Sequence, residues 1–294
     1  MAAPVFDLQP MSIGDILDRT IRLYRRHFIH AVALVAIPYL LDSLVWAALD
    51  AIFDRSAGWG ALRDPGHIAG EIIGVLFRGW LGALEIAAMA GSVSAWYMGQ
   101  VPTVWRSYGP GLRRGLSLAW GILPLMAFEL FVRVWGLLTE AWPAAWMGAP
   151  MYAAAGLGAL VVTAPALLIL LRLILVPQLI GLEWISGRAA VRRSWRLMHR
   201  QSRRALVILL FWMGLAIVLW LALTFPASLL RGWRSHLGTE LLETVLWDLA
   251  GILASPLADI PLVLLYYDIR VRQEAFDLEL LARNLESPRA SPLS

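Results

Sequence analysis

Six mostly apolar stretches of about 20 residues dominate this chain, and that is the length a helix needs to cross about 30 Å of hydrocarbon. They run from Ala31 to Phe53, Ile72 to Met98, Leu116 to Leu138, Met151 to Leu182, Ala205 to Phe225 and Leu249 to Tyr267. Backbone polar groups in lipid must be satisfied within their own segment, so such stretches fold as helices. The expected fold class is therefore all-α, a polytopic membrane protein with six transmembrane helices. Composition agrees: 59% of residues are hydrophobic and 16% charged, against about 25% charged in soluble domains.

A repeat organises the six stretches. Leu17-Asp18-Arg19-Thr20-Ile21 aligns with Val104-Trp105-Arg106-Ser107-Tyr108 and with Val191-Arg192-Arg193-Ser194-Trp195, at steps of 87 residues without a gap. Each reads aliphatic, any residue, Arg, hydroxyl, large apolar. The chain is thus expected to form three copies of one unit, a basic interfacial helix followed by a hairpin. The repeats cover about 12–98, 99–185 and 186–272 of a single integral membrane domain, 1–286. A tail helix is expected over 268–285 and a disordered tail over 287–294, which is rich in Pro and Ser. The fourth stretch is too long for one straight span, and Pro165 and Pro177 are the positions where it can kink.

Charge sets the expected orientation. The segments before the first, third and fifth stretches, with the tail, carry eighteen Arg, and the opposite loops carry four. Positive charge stays in the cytoplasm, so both termini are expected there. The first residues do not read as a cleavable signal, and the first span is expected to act as its own insertion signal. The chain holds no Cys, which removes disulfides and thiolate metal sites, and all 25 of its basic residues are Arg. The pI near 9.8 reflects Arg beside lipid head groups rather than a nucleic-acid module.

Charges inside the spans are the first candidates for function, because each costs roughly 2.5–3.5 kcal/mol at a helix centre. They are Asp42, Arg78, Glu85, Glu129, Arg133, Arg172 and Asp259. Glu85, Arg172 and Asp259 are repeat equivalents. With the hairpins around a pseudo-threefold axis, Arg172 is placed to bridge the two carboxylates. Glu129 and Arg133 stand four apart and can pair on one helix. This cluster reads either as a polar path or ligand site, or as ion pairs that hold the bundle together. The second candidates are Arg19, Arg106 and Arg193, expected to face lipid on the three elbows. The first elbow carries Arg22, Arg25 and Arg26 beside an apolar stripe of Ile13, Ile16, Leu17 and Tyr24, the pattern of an interfacial helix. No hydrolase or metalloprotease motif occurs, and His27 and His30 alone are a weak metal signal. Neither a metal nor a cofactor is expected.

The third candidate is the tail motif Asp268, Arg270, Arg272, Glu274 and Asp277, with two charge pairs at helical spacing. Its sequence, Tyr266-Tyr267-Asp268-Ile269-Arg270-Val271-Arg272-Gln273-Glu274, together with Arg193-Ser194-Trp195-Arg196-Leu197 and Ser12-Ile13-Gly14-Asp15-Ile16-Leu17-Asp18-Arg19, resembles the membrane-domain family of glycerophosphoryl diester phosphodiesterases. The resemblance covers nearly the whole chain. It implies a bacterial, multi-helix inner-membrane protein, a stand-alone member without the catalytic domain. The family's catalytic His-Arg-Gly and Glu-Asn-Thr elements do not occur, and His199-Arg200 is followed by Gln201. Mitochondrial carriers share the count of three hairpins but not their Pro-x-acidic signature.

The expected function is accordingly non-catalytic: binding or translocating an amphiphile with an anionic head group. The alternative is a membrane scaffold or assembly partner without transport activity. The expected partners are anionic phospholipid and a cytoplasmic or membrane protein docking on the tail; nucleic acid is not among them.

Overall fold

The computed structural model describes residues 10–53, 65–140, 163, 165–230 and 236–274. Helices account for nearly all of them: α1 Ile13–Arg26, α2 Phe28–Phe53, α3 Pro65–Tyr97, α4 Val104–Arg113, α5 Gly115–Glu140, α6 over 165–173, α7 Val176–Glu183, α8 Gly187–Leu197, α9 Ser202–Leu230 and α10 His236–Glu274. Six helical segments are long and apolar enough to cross a membrane: Phe28–Phe53, Ile68–Tyr97, Gly115–Arg133, Pro165–Glu183, Ser202–Phe225 and Thr244–Glu274. The order is short helix, long helix, long helix, three times over.

Local sequence explains the short helices. Ser12 caps α1: its hydroxyl accepts from the Asp15 amide at 3.2 Å, and the Asp15 carboxylate accepts from the Ser12 amide at 2.8 Å. Together they form a reciprocal capping box. α1 ends at His27 and α4 at Arg114, and after one non-helical residue the chain restarts as α2 at Phe28 and as α5 at Gly115. Phe28, Gly115 and Ser202, the first residues of α2, α5 and α9, are repeat-equivalent positions. α4 begins later in its repeat than α1 and α8 do, because Gly99 sits at φ 72° and Pro102 keeps the residue before it out of the helical region.

The two helices of each hairpin play different parts. In the first helices α2, α5 and α9, 22%, 22% and 11% of the apolar window is buried; in the second helices the shares are 50%, 50% and 61%. The second helices therefore form the interior and the first helices the lipid-facing layer. α3 lies between α7 and α10 and also packs on α2, α4 and α5. Small residues allow this. Ala83, Ala87, Ala88 and Ala90 are buried on α3, and a Cβ added to Gly181 would come within 3.2 Å of the Ala87 backbone. Close backbone approach through small residues is how helices associate in lipid.

One expected break forms and one expected boundary changes. The fourth span breaks in a turn at Ile174–Leu175, next to Pro177, which lacks the amide that would continue the ladder. Gln178, fully buried, offsets part of the loss: with its amide nitrogen turned inward it donates to the carbonyls of Ile174 at 2.9 Å and Leu175 at 3.2 Å. The start of that span, from Met151, lies outside the described residues. The tail helix is not a separate element. Asp268–Glu274 is the continuation of α10, which runs unbroken for 39 residues or about 58 Å, longer than the bilayer core. Residues 275–294 lie outside the described residues.

Candidate functional site

A cavity of about 350 Å³ opens between α2, α3 and α10. Helical spacing puts its polar side chains there. On α3, Arg78, Leu81, Gly82 and Glu85 recur at three, four and seven residues and so share a face. On α10, Asp248, Ser255 and Asp259 do the same, and α2 contributes Tyr39 and Asp42.

Most of these groups are paired. Arg78 holds Asp42 at 2.7 Å, the Ser43 hydroxyl donates to Asp248 at 2.6 Å, and the Tyr39 and Ser255 hydroxyls lie 3.0 Å apart. Glu85 and Asp259 are different. They are only 5% and 7% exposed, and their carboxyl groups are in hydrogen-bonding contact with each other. Such a bond needs one proton shared between the two groups, because an ionised carboxylate only accepts. Asp42 Oδ1 has no hydrogen-bond partner among the described residues. The field of the pair reaches α4: burial first, then the Glu85 and Asp259 carboxyls, hold the Tyr108 phenol well above its ordinary range.

Four of the charges expected inside the spans, Asp42, Arg78, Glu85 and Asp259, thus meet at one cavity. Glu129 and Arg133 pair as their spacing implies, at 3.5 Å, and Arg133 also reaches Glu71 on α3 at 3.4 Å. The Trp46 ring links this group to the cavity, with Arg133 5.0 Å and Arg78 5.4 Å from its centroid. Arg172 does not bridge the two carboxylates. Its guanidinium lies over the Trp195 ring at 4.6 Å, and its carbonyl accepts from Ser194 at 2.7 Å. The break before Pro177 ends α6 just beyond Arg172, and this part of the second repeat rests on α8 instead. Asp248, Tyr39, Ser255 and Trp247 join the cavity unforeseen. The sixth span was expected to begin at Leu249, which left Asp248 in a loop. The signal for it was its place eleven residues before Asp259 on one helical face.

The three elbows are not alike. Arg106 is exposed and Arg19 is half-buried. Arg193 turns inward rather than to lipid: one of its terminal nitrogens donates to Glu183 at 2.9 Å and to Glu274 at 3.0 Å. Two carboxylates, from α7 and α10, hold this guanidinium. The outward face of α8 instead presents Arg192, Trp195 and Arg196 along an open groove of about 630 Å³.

The tail motif works inside the protein. Asp268 is buried, accepting from the Met11 amide at 2.6 Å, from Arg204 at 2.5 Å and from Arg272 at 3.0 Å. Arg204 and Arg272 also both donate to the Met11 carbonyl, at 2.7 and 2.9 Å. Arg270 pairs with Glu274 at 2.9 Å and approaches the Tyr266 hydroxyl, which donates to Glu183 at 2.8 Å. About two and a half turns of α10 thereby tie together α7, α8, α9 and the residues that lead into α1. Asp277 lies outside the described residues.

Among the described residues, no three His, Cys, Asp or Glu converge on a metal position. His27 stacks on Trp96 at 4.5 Å. Fold and site together define a multi-pass, all-α membrane protein with a polar cavity in its helix bundle. No protein-family model, no curated protein and no solved structure matches the chain.

Proposed function

We propose that this is a non-catalytic bacterial inner-membrane protein, with both termini in the cytoplasm, that binds an amphiphile with an anionic head group at its basic elbows. The observation that carries the reading is the α8 groove, where Arg192 and Arg196 flank Trp195. Two guanidiniums beside an indole match a phosphate head group at the level where aromatic side chains sit. Exposed Trp105 lies on α4 and exposed Trp184 just before α8, and Arg114, at the end of α4, lies 5.8 Å from the Trp184 ring. The resemblance to the phosphodiesterase membrane domain points the same way.

The head group belongs in the groove and not in the cavity. Like charges brought together at low dielectric repel strongly, and the cavity holds four acidic side chains against one Arg. The scaffold alternative loses ground because Asp268, Arg270, Arg272 and Glu274 spend their charge on internal partners rather than on a docking surface.

Native mass spectrometry of purified protein, wild type against Arg192→Gln/Arg196→Gln, tests the reading. Each Arg near anionic lipid contributes about 1 kcal/mol, so the double variant should retain phosphatidylglycerol and cardiolipin about thirtyfold less well. Equal retention by both proteins, or an equal loss of zwitterionic lipid, would refute it.

A further inference from the structure

Resting on the assignment of the α8 groove to an anionic head group, we infer that this head group is a terminal phosphate monoester and that Arg172 is the third guanidinium holding it. Arg172 lies within the fourth span, Pro165–Glu183. The other charges read inside the spans answer one another: Asp42 with Arg78, Glu129 with Arg133, and Glu85 with Asp259 through a shared proton. Arg172 has no acidic partner among the described residues. Its guanidinium rests on the Trp195 ring at 4.6 Å, and Trp195 lines the groove with Arg192 and Arg196. A charge inside a span is costly, and one that no acidic side chain neutralises points to a ligand.

Charge and geometry together select the head group. α8 contains no Asp or Glu, and Glu183, just before it, is held by Arg193. Arg172, Arg192 and Arg196 thus set three positive charges around one indole, with no acidic side chain paired to any of them among the described residues. A phosphodiester offers two free oxygens and a single negative charge. A phosphate monoester offers three free oxygens and about 1.5 to 2 negative charges at neutral pH, an oxygen for each guanidinium. Arg grips such oxygens through its paired N–H donors. The Ser194 hydroxyl donates to the Arg172 carbonyl at 2.7 Å. That bond joins α6 to α8 through the backbone of Arg172 and keeps its side chain at the groove.

Native mass spectrometry of the full-length protein in detergent, given equal amounts of phosphatidate, phosphatidylglycerol and phosphatidylethanolamine, reads the preference. At about pH 8 the wild type should retain phosphatidate about fivefold better than phosphatidylglycerol, the worth of one added Arg contact. Arg172→Gln should bring that ratio close to one. The wild type supplies a second arm that stands even if the variant does not fold. At about pH 5, below the second phosphate pKa of about 6, the monoester loses its extra charge and the ratio should again fall toward one. The groove lining holds no His, Asp or Glu, so the phosphate is the group that titrates there. A wild-type ratio near one at the higher pH would overturn the inference, as would a ratio that Arg172→Gln or the lower pH leaves unmoved. Retention of neither anionic lipid above phosphatidylethanolamine would instead remove the groove as a head-group site, and this inference with it.

Discussion

Burial decides what a charged residue is worth in this protein. Asp18 and Arg22 form an ion pair on α1 with both side chains more than half exposed, 62% and 65%. Such a pair contributes less than about 1 kcal/mol. Asp268 holds two Arg with its own side chain fully buried. Removing one partner of a buried network leaves the others uncompensated, at about 3–5 kcal/mol. Asp268→Asn should therefore lower the thermal unfolding midpoint by several degrees, whereas Asp18→Asn should leave it unchanged. Circular dichroism of the two variants in the same detergent checks the contrast; equal midpoints would show that the Met11–Asp268–Arg204–Arg272 network is not a structural lock.

At the scale of the element, the contacts that matter are backbone contacts. Gly187 opens α8, and a Cβ there would lie 2.3 Å from the Ser117 carbonyl and 2.9 Å from the Gly121 amide of α5. Neither atom is the end of a flexible side chain, so α8 as a whole would have to move. Gly187→Ala should cost about 1–3 kcal/mol, the usual range for overpacking, and should also weaken lipid retention, because it displaces the helix that carries Arg192 and Arg196. Measuring unfolding and lipid retention on one preparation separates this from a surface change, which would affect retention alone. The α1 capping box gives a smaller pH effect. The Ser12 hydroxyl and amide hold the Asp15 carboxylate below its ordinary 3.8. A depressed carboxylate contributes stability above its unfolded value and loses it as pH falls through the folded one. Amide exchange at the start of α1 should accordingly speed up below about pH 4 and not between pH 6 and 8.

At the scale of the whole molecule, lipid takes the place of water. α9 exposes Val207, Leu210, Phe211, Met213, Val218 and Leu221, a surface that only hydrocarbon tolerates. The elbows and the clamp around Asp268 lie at one end of the bundle, since α1 and α8 both pack on α10. The excess of Arg is the ground for proposing that this end faces the cytoplasm. Reporter fusions at Gly60, Pro143 and Ser294 should read periplasmic, periplasmic and cytoplasmic. A cytoplasmic signal at Gly60 would invert the arrangement.

What the sequence determined by itself follows from spacing along one chain. Apolar length set the six spans, the 87-residue register set the elbows, and pairs four apart, Glu129 with Arg133, Asp268 with Arg272 and Arg270 with Glu274, formed as read. A helix holds such neighbours at fixed geometry whatever surrounds it. Contacts between helices obey no such rule, because they depend on how each helix is rotated and crossed, and packing sets that. Only the tertiary structure therefore brought Asp248 to the cavity, sent Arg172 to Trp195, turned Arg193 toward Glu183 and Glu274, and fastened Met11 to Asp268. The meeting of Glu85 with Asp259 belongs to both levels. Their spacing of twice 87 residues matches the register read in the sequence, and both lie on inner helices. Packing α3 directly on α10, through residues without bulk, removed whatever would have stood between them.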